Sequence, residues 1–155
     1  MRRRPTSREG FSLVELMLTL AIVSVLAVMA VPRYAQALRR YELDLAARRV
    51  AQDLQLARDR ARLTEQSQTV TFSADTGRYI LAGMSDPDRP EQTYSVDLGD
   101  SPYGVKLVQA DFGGSPAVTF NGFGLPGSGG QVILSHSGSY RTVLLDGETG
   151  EASLP

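Results

Sequence analysis

One carboxylate in an apolar run is the residue of this 155-residue sequence that most demands chemistry. Phe11 to Val31 reads FSLVELMLTLAIVSVLAVMAV, and Glu15 is its single ionisable side chain. A charge inside hydrocarbon costs roughly 2.5 to 3.5 kcal/mol on insertion scales, so Glu15 needs a cation. No Lys, Arg or His lies in the run. The candidates are a charge on another subunit or a new α-amine made by proteolysis just upstream. Gly10-Phe11 offers such a cut, because Gly is small and the residues before it are polar.

Elsewhere the reactive residue types do not converge. His136 is the only His, and the Ser on either side of it makes no triad, since geometry rather than adjacency defines one. It is expected to be a polar turn residue. Asp86, Asp88 and Glu91, interleaved with Pro87 and Pro90, carry the oxygen ligands calcium takes, but their spacing lacks the order of a calcium loop. A solvated acidic loop is expected there. The glycines at 122, 124, 127, 129 and 130 do not join a strand to a helix, so they form no phosphate cradle. Zero Cys excludes disulfides, thiolate metal sites and thiol catalysis. The expectation is therefore a non-enzyme with no catalytic, cofactor or metal site.

The elements around Glu15 follow from length and charge. Twenty-one helical residues span about 31 Å, which matches a hydrocarbon core of about 30 Å. Arg2, Arg3, Arg4 and Arg8 precede the run, and the positive-inside rule keeps such a cluster in the cytoplasm. The expected topology is a single pass, N-terminus in, with the rest of the chain outside. A cleaved secretory signal ending at Val28-Met29-Ala30 is the alternative, but the apolar run is long for one and helical periodicity continues past it. Pro32 removes the amide that would bond to Val28, so a bend or local loosening is expected there.

Beyond Pro32, Leu43, Ala47, Val50, Leu54, Ala57 and Ala61 recur at spacings of three and four, a narrow apolar stripe that should lie on a sheet. The Arg residues of the same helix alternate with Glu42, Asp44, Asp53 and Asp59, with Asp44 to Arg48 at i,i+4. They are read as a solvated charged face rather than a nucleic-acid surface. Leu38, Tyr41 and Leu45, partly off the stripe, are read as contacts to the apolar stem or to neighbouring subunits.

From Gln66 the period becomes two, with 14 of the 15 Gly placed after residue 76. Val70 and Phe72 alternate with Thr69 and Thr71, and Asp75-Thr76-Gly77 turns the chain into a second strand from Arg78. Further strands are expected at Thr93–Leu98, Val105–Ala110, Ala117–Phe120, Gln131–Ser135, Tyr140–Asp146 and Glu151–Leu154. The fold class is α+β, a long N-terminal helix, transmembrane in its first half, packed on an antiparallel β-sheet head. The expected organisation is a basic leader (1–10), a transmembrane helix (11–32), its amphipathic continuation (33–65) and a β-rich head (66–155). Four basic against eleven acidic residues from Thr64 onward make that head acidic and argue against nucleic acid as a partner.

Gly10-Phe11-Ser12-Leu13-Val14-Glu15-Leu16, behind a short basic leader and ahead of the apolar run, resembles the processing site of type IV prepilins and type II secretion prepseudopilins. The resemblance implies cleavage after Gly10 by prepilin peptidase, removal of the leader and N-methylation of Phe11. It also implies that Glu15 pairs with the Phe11 amine of a neighbour, with Pro32 at the twenty-second mature position. The head is similar to the GspH/FimT type of minor pilin and pseudopilin. That similarity runs from Leu54-Gln55-Leu56-Ala57-Arg58 through Gln68 to Phe72, then Val118-Thr119-Phe120 and the closing Thr149-Gly150 turn. The implied role is a minor pseudopilin or minor pilin, type IV pilin-like in fold. It would be held in the inner membrane with a periplasmic head, and would assemble with other pilins or pseudopilins on an inner-membrane platform into a filament for type II secretion or type IV pilus biogenesis. The alternative is a filament-tip adhesin or DNA-uptake subunit. Some members of the type end in a G-R-x-R signature linked to DNA uptake, and this chain has Gly150-Glu151-Ala152-Ser153 in its place.

Overall fold

The computed structural model describes Gly10 and residues 12–155, apart from the side chains of residues 29–32. The leader before Gly10, and Phe11, lie outside the described residues. One helix, α1, covers Leu13–Thr64. It contains no Gly and one Pro, and the helix continues through Pro32 without a break, so the lost amide does not end the element there. Its first part holds an 18-residue window of mean hydropathy 2.5, none of it buried, which is long and apolar enough to cross a membrane. At its far end Glu65 takes a left-handed backbone (φ 53°), the conformation that closes many helices. The chain divides into two units between Ala37 and Leu38.

The second unit contains the rest of α1 and eight strands. These are β1 (Gln68–Ser73), β2 (Arg78–Ser85), β3 (Thr93–Asp97), β4 (Lys106–Asp111), β5 (Ala117–Phe120), β6 (Gly130–His136), β7 (Ser139–Leu145) and β8 (Ala152–Ser153). They form two antiparallel sheets of four, ordered β3-β2-β1-β5 and β4-β6-β7-β8. The expected α+β architecture, one long helix on antiparallel sheets, is the one observed, with the strands divided between two sheets. Asn121-Gly122 opens a tight loop that closes an antiparallel bridge between Phe120 and Pro126 before the chain passes to the second sheet.

Alternation decides the faces. Val70 stands opposite Leu81 on one side and Val118 on the other, and Phe72 opposite Tyr79. In the second sheet Val132 faces Val143. All of these are buried, and with Leu107, Phe112, Phe120, Leu134 and Leu145 they form one core with α1. The predicted stripe closes it, since Leu43, Ala47, Val50, Leu54, Ala57 and Ala61 are all buried, joined by Ala46. Four alanines at this contact let the helix backbone approach both sheets closely, a spacing that larger side chains would overpack.

Candidate functional site

The N-terminal segment places Gly10 exposed, just ahead of the helix, and Glu15 exposed in the first turn of α1. The first helical bond runs from the Leu16 amide to the Ser12 carbonyl at 3.1 Å. Two other polar side chains of the apolar segment are satisfied internally. Thr19 Oγ1 donates to the Leu16 carbonyl at 2.9 Å and Ser24 Oγ to the Leu20 carbonyl at 2.7 Å, which suits hydroxyls to lipid. No ion pair involves Glu15 among the described residues.

In the head, the structure revises the reading of the charged helix face. Asp53, expected on a solvated face, is only 4 % exposed. It accepts from the Tyr79 hydroxyl at 2.5 Å, the Tyr94 hydroxyl at 3.0 Å and Arg49 Nε at 3.0 Å, while Arg49 also donates to the Tyr94 hydroxyl oxygen. A carboxylate with three donors tolerates a site from which water is largely excluded. Burial first, then the Asp53 charge and hydrogen bond, raise the Tyr79 hydroxyl far above the ordinary tyrosine value and push Tyr94 up to about 12, with Arg49 opposing. The Arg49 to Asp53 spacing was the available signal, but only the fold brings two tyrosines from β2 and β3 onto it.

Two further pairs tie α1 to the second sheet. Asp44 accepts from Arg141 of β7 at 2.5 Å, not from Arg48 as the i,i+4 spacing suggested. Both side chains of this pair are about half exposed, so it competes with water as surface pairs do and adds little stability. His136 ends β6 instead of sitting in the turn, half-buried with Nε2 3.4 Å from Glu42 Oε2. Asp86 Oδ1 accepts from the Asp88 and Arg89 amides at 2.8 and 3.2 Å, so one of the three loop carboxylates serves the turn itself.

The end of α1 carries an unforeseen feature. A cavity of about 580 Å³ is lined by Arg62, Glu65, Gly122 and Phe123. Asn121 Oδ1 accepts from the Phe123 and Leu125 amides, both at 3.0 Å, and this fixes the loop that presents Phe123. Gly124 is required there, with φ +77° and a Cβ that would fall 2.5 Å from the Arg62 stem.

A long N-terminal helix closing antiparallel sheets, with a membrane-compatible first part, defines the class of type IV pilin-like proteins. Residues 46–150 match the type II transport protein GspH, and residues 6–31 match the prokaryotic N-terminal methylation motif. The chain belongs to the GspH family, whose members are structural pilin and pseudopilin subunits. Its fold is similar to that of the minor pseudopilin EpsH from the type 2 secretion system of Vibrio cholerae, with a TM-score of 0.57 and 20 % identity over 74 % of this chain and 96 % of that one. It is likewise similar to the type IV minor pilin FimU of Pseudomonas aeruginosa, with a TM-score of 0.56 and 17 % identity over 75 % of this chain and 90 % of that one. No curated protein matches the sequence.

Proposed function

We propose that the chain is made as a membrane-inserted precursor, clipped after Gly10 by prepilin peptidase, N-methylated at Phe11, and built into a periplasmic filament of type II secretion or type IV pilus biogenesis. The observation that carries this is the exposed Glu15 in the first turn of an apolar helix, inside a methylation motif that precedes a GspH head. In the filament Glu15 meets the Phe11 amine of a neighbour. Opposite charges at close range in a low-dielectric setting attract strongly, which fixes the stagger between subunits. Pro32 lies where the apolar segment gives way to the amphipathic one, and packing of neighbouring helices settles against it. The N-terminus stays cytoplasmic, the head is periplasmic, and other pilins and the inner-membrane assembly platform are the partners.

Gly10→Ala is the direct test. A methyl group at the cleavage position obstructs the peptidase, so the variant accumulates as a precursor in the inner membrane. Mass spectrometry of the wild-type chain from assembled filaments should read an N-methylated Phe11 as its first residue. An intact Met1 in assembled filaments would end the processing reading.

A further inference from the structure

We propose that the end of the head formed by residues 38–44 of α1 and the β6–β7 turn is a docking surface for the anionic headgroups of a phospholipid bilayer, on which the head rests while the chain is a single membrane-held subunit. This rests on the reading that the apolar segment spans a membrane. Charge is the first observation. Residues 38–48 and 135–141 carry Arg39, Arg40, Arg48 and Arg141 against Glu42 and Asp44, a net charge of +2 with His136 neutral. The rest of the second unit carries seven basic against thirteen acidic side chains, a net charge of −6. An anionic surface therefore attracts this end and repels the remainder, which orients the head as well as binding it.

The second observation is the set of groups this end presents. Arg39, Arg40 and Arg48 are exposed, and no ion pair involves them among the described residues. Arg40 shares a cleft of about 250 Å³ with Leu43, Asp44, Ser139 and Arg141. Arg141 Nε donates to Asp44 Oδ1 at 2.5 Å, so Arg40 supplies the cation that the cleft leaves uncompensated, with the exposed Ser139 hydroxyl as a neutral donor. That combination suits a phosphodiester, which offers a single negative charge and several acceptor oxygens. Ser137 and Gly138 turn the chain between the paired His136 and Ser139 with left-handed backbones, φ 49° and 84°. A turn of two small residues lets the neighbouring guanidinium groups approach a flat surface. Tyr41 and Tyr140, 64 % and 62 % exposed, lie at the same end and have the apolar body and polar tip that favour a membrane–water interface.

The third observation is the tether. The chain enters this unit at Leu38, seven residues after the apolar segment ends at Val31, so this end stays close to the bilayer whatever the bend between them. A nucleic acid has no such tether and would meet the repelling remainder of the head.

The chain has no Cys, so one engineered Cys can carry a fluorophore at a chosen position. Ser137→Cys places it on the turn. Asp88→Cys places it in the loop after β2, a strand that reaches the far end of α1, where Arg60 Nη2 donates to the Gly83 carbonyl at 3.3 Å. The full-length chain, one copy per nanodisc, is compared in phosphatidylcholine and in phosphatidylcholine with phosphatidylglycerol, both containing lipids with a nitroxide on the headgroup. Phosphatidylglycerol should raise quenching at position 137 roughly threefold and leave position 88 unchanged, and high salt should remove the increase. Arg39→Glu with Arg40→Glu should abolish the increase, whereas Arg39→Lys with Arg40→Lys should keep it, which separates charge from folding. Quenching at position 137 that ignores phosphatidylglycerol or the Glu changes, that rises equally at position 88, or that needs two copies in one disc would overturn the inference. Entry into discs without charge-dependent quenching removes the docking surface alone. Failure to enter discs removes the membrane-spanning reading and the docking surface with it.

Discussion

Asp53 shows how one carboxylate can be held in a protein interior by its neighbours. Tyr79, Tyr94 and Arg49 all donate to it, and Arg49 lies 5.8 Å from the Tyr94 ring centroid. Asp53→Ala leaves two buried hydroxyls without an acceptor, at about 1 to 3 kcal/mol each. The expected loss is on the order of 3 kcal/mol in urea denaturation of residues 33–155. Tyr94 adds a pH dependence. Its folded value of about 12 lies above the ordinary tyrosine value of 10.0, so the folded state holds the proton more tightly. That stability is fully present below pH 10 and is lost as pH rises toward 12. Melting curves across this range should show a falling midpoint, and Tyr94→Phe should make the fall shallower. An equal slope in the variant would move the effect to other groups.

At the scale of elements, α1 is two helices in one. From Leu13 to Val28 its apolar side chains are exposed around the helix, which suits lipid or the stems of other subunits. From Leu43 a narrow stripe is buried on two sheets. Leu54→Asp puts an unpaired carboxylate at the centre of that contact, where desolvation costs several kcal/mol. Against a total stability of about 5 to 15 kcal/mol, residues 33–155 carrying it should be largely unfolded at 37 °C. Leu38→Asp, at a position 45 % exposed, should shift the melting midpoint little. Similar midpoints for the two variants would mean that the stripe does not close the core.

For the whole molecule, the outstanding charge is Glu15. Glu15→Leu makes the segment more compatible with lipid while removing the group that attracts a neighbour's amine. Processing after Gly10 should therefore persist, with the variant at least tenfold depleted from sheared filaments by quantitative immunoblot. Normal incorporation would remove the pairing between subunits.

Most of the architecture was legible from local pattern. The absence of Gly and the long apolar run fixed one helix, and the stripe named its buried face correctly at all six positions. Period-two alternation with Gly-rich turns located the strands, because side-chain direction in a strand is a property of neighbouring residues. What only the tertiary structure decided is long-range. The division into two sheets depends on strand pairings such as β1 with β5, separated by more than 40 residues. The burial of Asp53 depends on tyrosines from two strands meeting a helix, and the pairing of Asp44 with Arg141 rather than Arg48 depends on β7 lying beside α1. The cleft at Phe123 exists because Gly122 and Gly124 allow a loop to lie against the end of α1. Sequence spacing carries the direction of a side chain within its own element, and contact between elements is set by the packing that joins them.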